Sequence, residues 1–160
     1  MELKVPFLTI LLICIAFGER DVNDSDQFRP FNLMQQLSQP AKDAINAIRK
    51  LNNSTRAGEE KLMDGYFSKL PDSSPDKIAY NKFITEIKDL DAKLKTKIDE
   101  AVDSSNLTSP EKDLFRKYES IYLNKTLTKP DIQKQIKELE VANKDPTNKI
   151  KKIVLEAIYN

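Results

Sequence analysis

Apolar positions recur along this chain at spacings of three and four, and short polar stretches with helix-capping residues separate them. Ala41, Ala44, Ile45, Ile48 and Leu51 fall on one face of a helix that Ser38 can cap, with Pro40 in its first turn. Thr55 can start a second helix carrying Leu62, Met63, Tyr66, Phe67 and Leu70, and Pro71 stops it. Ser74-Pro75 opens a third, with proline at the first helical position. Ile78, Phe83, Ile87, Leu90, Leu94, Ile98, Ala101 and Val102 run down one side of it, and neither Gly nor Pro interrupts Asp76 to Ser105. A helix over about 75–104 is roughly 45 Å long, against a radius of gyration of about 14–15 Å for a compact domain of this size. It must cross the whole molecule or project from it.

Thr108 and Glu111 match a capping box with Pro110 between them, and Leu114, Phe115, Tyr118, Ile121 and Tyr122 follow as a core face. Thr128 can cap the next helix, with Pro130, Ile132, Ile136 and Leu139; Asp145-Pro146 opens the last, with Ile150, Ile153, Val154, Ala157 and Ile158. Pro30-Phe31-Asn32-Leu33-Met34 brings the first apolar anchors and a short helical turn. No segment alternates as a strand does, and three glycines are too few for a turn-rich β architecture. Leu37-Ser38-Gln39-Pro40-Ala41-Lys42-Asp43 matches Leu107-Thr108-Ser109-Pro110-Glu111-Lys112-Asp113, and each copy starts a helix that ends in an Asn/Thr loop opening another. The pattern predicts an all-α fold: two helix–loop–helix hairpins joined by a long central helix, about six helices in all.

Residues 1–18 read as a secretory signal peptide. Lys4 gives the charged start, Val5 to Phe17 the apolar run, and Ala16 and Gly18 the small residues of a cleavage site. An uncleaved signal anchor is the alternative, but the run is short of the roughly 20 residues that span a bilayer. Residues 19–29 are polar and aperiodic, a flexible lead, and residues 30–160 form one domain. The 160 residues hold no His and one Cys, Cys14, which leaves with the signal. The mature chain therefore excludes structural zinc, a Cys nucleophile and the Ser-His-Asp triad. The whole chain balances 26 basic against 25 acidic residues for a net +1, which implies no nucleic-acid partner. No stable membrane insertion of the mature chain is expected.

The segment Leu107-Thr108-x-Pro110-Glu111-Lys112, with Tyr118-x-x-Ile121-x-x-Asn124-Lys125-Thr126-Leu127-Thr128-x-x-x-Ile132, resembles the signature of the SXP/RAL family of secreted nematode antigens. The first copy, from Leu37-Ser38 through Ile48 to Asn53-x-Thr55, fits the same family more loosely, and the match covers about residues 30–158. The resemblance implies a small secreted all-helical protein whose domain is described as cation-binding, with no established enzymatic activity. Two features depart from the family. Arg56-Ala57-Gly58 follows the first loop where a helical Lys/Thr-x-Glu is usual, and Tyr66-Phe67 stand near the place of a frequent Trp.

The residues themselves offer little to a cation. An EF-hand loop needs several carboxylates, Gly at position six and Glu at position twelve. Counted from Asn124, the oxygens come from Asn124, Thr126 and Thr128, position six is Lys129 and position twelve is Gln135. This reads as a turn and N-cap. Asp21-x-Asn23-x-Ser25 begins like a calcium loop but lacks the Gly and the Glu. Asp99 and Asp103, four apart near the end of the long helix with Glu100 beside them, are the candidate metal ligands. Their mutual repulsion and the helix C-terminus would both be relieved by a weakly held Mg or Ca ion, or more simply by Lys95.

Five N-glycosylation sequons occur, at Asn23, Asn52, Asn53, Asn106 and Asn124. Tyr66, Phe67, Tyr80, Phe83, Phe115, Tyr118 and Tyr122 either form the core or line a cavity for a small apolar ligand such as a fatty acid. Lys149, Lys151 and Lys152 oppose the apolar stripe of the last helix, which packs on the bundle or lies on an anionic membrane. No pair of carboxylates suggests catalysis. The expectation is a secreted, non-enzymatic protein with weak divalent-cation binding. The alternatives are a carrier of small hydrophobic ligands and a host-directed protein-binding module.

Overall fold

The computed structural model describes residues 33–51 and 53–159. The leader at 1–18, the lead at 19–29, and the sequons at Asn23 and Asn52 lie outside them. Seven helices are present among the described residues: α1 (Leu33–Gln36), α2 (Gln39–Arg49), α3 (Arg56–Ser68), α4 (Pro75–Ser104), α5 (Ser109–Leu123), α6 (Lys129–Ala142) and α7 (Lys144–Tyr159). The fold is all-α as expected, with the single turn α1 added to the six longer helices. Among the described residues no helix is long and apolar enough to cross a membrane.

Helix α4 runs 30 residues without a break and carries two separate cores. Its first half buries Ala79, Tyr80, Phe83 and Ile84 against Leu33 and Leu37, Ala41 and Ile45 of α2, and Met63 and Phe67 of α3. Its second half buries Leu94, Ile98 and Val102 against Leu114, Phe115, Tyr118 and Tyr122 of α5, Ile132 and Ile136 of α6, and Ile150, Val154 and Ile158 of α7. Each fully buried large apolar side chain contributes about 1.5–3 kcal/mol. In the first core Phe67 stacks on Tyr80, with ring centroids 4.0 Å apart and planes 7° from parallel.

Three apolar positions expected on core faces are instead exposed: Leu51, Leu62 and Ile78. Leu51 lies beyond Lys50, the residue that caps α2 at its C-terminal end. Leu62 is one residue off the stripe set by Glu59, Met63 and Phe67, and Ile78 lies on the opposite side of α4 from Tyr80, Phe83 and Ile84. Helix α7 begins one residue earlier than expected, at Lys144, with Asp145 in its first turn. A single residue, Asn143, separates it from α6, and the Asn143 amide donates to the Leu139 carbonyl at 3.0 Å.

The two hairpins, α2–α3 and α5–α6, meet at their loops. Thr55 and Thr128 cap α3 and α6. They also pair as an isolated antiparallel bridge, and the Ala57 N–H donates to the Lys125 carbonyl at 3.1 Å. An antiparallel bridge between repeat-equivalent residues is what a local two-fold relation between hairpins produces.

Candidate functional site

The bridged loops build a charged junction. Glu59 and Glu60 lie in the first two turns of α3, and two lysines reach them from the other hairpin. Lys125 Nζ binds both oxygens of Glu60, at 2.8 and 3.0 Å, and Lys129 Nζ lies 2.9 Å from Glu59 Oε1. The Ser54 hydroxyl donates to the same Glu59 oxygen at 2.8 Å. Glu59 and Arg56 are both buried, and Asp91 approaches the cluster from the middle of α4. Burial pushes the Asp91 carboxyl up to about 7, while Lys125 and Arg56 pull it the other way. In the sequence Lys129 stands only where an EF-hand loop needs glycine, and neither loop lysine is marked as a partner for a carboxylate. They serve here as the cations.

The side-chain oxygens of the second loop are taken up locally. Asn124 Oδ1 accepts from the Thr126 N–H at 3.0 Å and from its hydroxyl at 2.7 Å. The Thr128 hydroxyl accepts from the Asp131 N–H and donates to the Asp131 carboxylate. That is the turn and N-cap expected from a loop without Gly at its sixth position.

Asp99 and Asp103 do come together, around a guanidinium. Arg116 of α5 places Nη1 2.5 Å from Asp99 and Nη2 2.9 Å from Asp103, and it also bonds Glu119. Lys95 lies 2.5 Å from Asp99 and also pairs with Glu119. Lys112 Nζ donates to the Asp103 carbonyl at 2.7 Å, which supplies positive charge at the end of α4. Burial alone would lower the Arg116 pKa; the bonds to Asp99 and Glu119 outweigh it and hold the proton more tightly than usual. The repulsion that suggested a metal ion is thus relieved by side chains of α4 and α5. Among the described residues no group of three carboxylate, His or Cys side chains is arranged to hold a metal ion.

The remaining candidates are placed as follows. Asn53, Asn106 and Asn124 are exposed. Asn106 sits in the link between α4 and α5, and Asn124 caps α5. The seven aromatic residues divide between the two cores, Tyr66, Phe67, Tyr80 and Phe83 in the first and Phe115, Tyr118 and Tyr122 in the second. The apolar stripe of α7 is packed on the second core. Two of its lysines tie it down, Lys149 to Glu111 at 2.7 Å and Lys151 to Glu140 at 3.0 Å.

Glu59, Glu60, Asp91, Arg116 and Glu119 carry no motif in the sequence, and Arg56 stands out there only as a departure from the family pattern. Glu59-Glu60 in the first turns after the Thr55 cap is the one local signal, and it marks only that pair. No family model, no curated protein and no solved structure matches the chain.

Proposed function

We propose that this chain is a secreted, non-enzymatic interaction protein: a pair of helical hairpins that supplies its own loop cations and acts through its surface. The observation that supports this reading is the junction of Lys125 with Glu60 and Lys129 with Glu59 across the bridged loops. Two tethered ammonium groups neutralise the carboxylates there without the desolvation cost of a free divalent ion. Divalent-cation binding, which the SXP/RAL resemblance implies, then falls to Asp99 and Asp103. A hydrated Mg or Ca ion must displace Arg116 and Lys95 there, and so is not retained at millimolar concentration.

Protein binding is favoured over carriage of an apolar ligand. The aromatic side chains that could have lined one chamber fill two cores on either half of α4. Native mass spectrometry of the protein collected from a secreting host tests these points together. The expected species begins at Glu19, carries glycan at the exposed sequons at most, and holds neither a divalent ion nor a lipid. A calcium, magnesium or fatty-acid adduct that survives desalting would overturn the reading.

A further inference from the structure

Beside Lys125 and Glu60 the junction holds two more charged side chains, Arg56 and Asp91, each with buried polar atoms that make no hydrogen bond. Arg56, the first residue of α3, is only 5% exposed. Its Nε and Nη2 atoms are buried and donate to no partner among the described residues. These two donors share one edge of the guanidinium, the edge that receives a carboxylate through two parallel hydrogen bonds. Asp91 Oδ2 is likewise buried without a hydrogen bond. The two side chains feel each other's charge, so acceptor and donor edge lie within electrostatic reach. Asp91 also occupies a particular place on α4. Ile84 and Ile87 of the first core precede it, and Leu90 and Leu94 of the second flank it.

We propose that Asp91 and Arg56 form a proton-controlled latch that ties the start of α3 to the centre of α4, where the two cores meet. The carboxyl makes no hydrogen bond to the guanidinium here, the arrangement a neutral Asp91 would keep. With Asp91 ionised, the carboxylate swings onto the Nε–Nη2 edge, and two buried unsatisfied groups satisfy each other. A buried group left without its hydrogen bond keeps its full desolvation cost, greater when it is charged, and this is the driving force for closure. The other charged groups near Asp91 do not duplicate the role. Lys125 is bound to Glu60, Lys129 to Glu59, and Lys95 on the next turn of α4 to Asp99 and Glu119. On α7, Lys149 and Lys151 are bound to Glu111 and Glu140. Lys88, one turn before Asp91, is half-buried and carries the same sign as Arg56.

The latch uses neither the loop ammonium groups nor any divalent ion, and its test shares no readout with the cation measurements. The test is NMR of the full mature chain in chelator, following the Asp91 carboxyl carbon and the Arg56 Nε–H resonance between about pH 5 and pH 8. Both signals are expected to move together, with one midpoint above the ordinary carboxylate range. Hydrogen-exchange protection of the Ala57 amide, corrected for intrinsic rate, should rise several-fold over the same interval. Asp91→Asn should leave the Arg56 signal and the Ala57 protection flat with pH. Arg56→Lys keeps the charge but loses the two-donor edge, and should remove the protection gain while Asp91 still titrates. An Arg56 resonance that stays fixed while Asp91 ionises, or an Asp91 midpoint in the ordinary carboxylate range, would overturn the proposal.

Discussion

Asp76 does for Ser38 what Glu111 does for Thr108. Ser38 donates its N–H to one Asp76 oxygen at 2.7 Å and its hydroxyl to the other at 2.6 Å. In the second repeat the Thr108 N–H and hydroxyl both donate to Glu111, three residues on, at 2.8 and 3.0 Å. The first repeat has Ala41 where the second has Glu111, and Ala41 is fully buried. The carboxylate that the first hairpin lacks locally is supplied by the first turn of α4. Ser38 thus stands at the N-cap as expected, but its hydroxyl is turned to α4 rather than to its own helix.

This relation predicts a coupling across the chain. Ser38→Ala and Asp76→Ala should each destabilise the protein by about 1–2 kcal/mol, the usual net worth of hydrogen bonds to a carboxylate. The double variant should cost less than the two added, because both singles remove the bond between the Ser38 hydroxyl and Asp76, while the bond from the Ser38 N–H is lost only with Asp76. Urea unfolding of the four proteins measures it. Strict additivity would mean that the contact carries no energy.

The start of α5 gives a pH prediction. The bond from Lys149, and then those from Thr108, hold the Glu111 carboxyl down at about 2. A carboxylate whose folded pKa lies below its unfolded value contributes stability above the unfolded pKa, about 4.3, and loses it as pH falls toward the folded one. Glu111→Gln should therefore be destabilising at neutral pH, with the difference from the parent shrinking from about pH 5 down to pH 2. Denaturation curves across that range report it; a difference independent of pH would locate the effect in packing instead.

In the second core Tyr118 and Thr147 share a hydrogen bond of 2.8 Å, and both are almost fully buried. Tyr118→Phe leaves the Thr147 hydroxyl without that partner and should cost about 1–2 kcal/mol. Tyr118→Phe combined with Thr147→Val removes both polar groups and should recover part of the loss. Thermal unfolding is the measurement, and no recovery in the pair would argue that shape rather than hydrogen bonding sets the cost.

Much of the fold was legible because helix starts here are marked chemically. Ser38, Thr55, Ser74, Thr108 and Thr128 all stand at N-caps, and proline in the first turn fixes four of those starts. The length of α4 followed from the absence of any breaker. Leu62 and Ile78 were misplaced because periodicity locates a stripe only to within a neighbouring position, and the packed partners decide the rest. The candidate site was far less legible. Arg116 meets Asp99 across 17 residues, and Lys125 meets Glu60 across 65. No local spacing encodes such a pairing. The signs of the charges in the loop were readable; that the lysines would find carboxylates on the opposite hairpin was not.

Loss of one loop lysine should be felt at once. Glu60 is mostly buried, and Lys125→Met removes its bound ammonium group. An uncompensated carboxylate at a partly buried position should cost about 1–3 kcal/mol. Charge reversal of the pair, Lys125→Glu with Glu60→Lys, should recover part of it. Chemical denaturation of the single and double variants distinguishes a specific pair from a general response to charge.

The account turns on whether the hairpins carry their own cations, and the melting temperature of the mature chain in chelator, in millimolar calcium and in millimolar magnesium measures this most directly. The same midpoint is expected in all three solutions, with Lys125→Gln/Lys129→Gln lowering it in each. A saturable rise with either ion would contradict the account. A site filled to a hundred times its dissociation constant would stabilise the fold by about 2.7 kcal/mol, well within reach of the measurement.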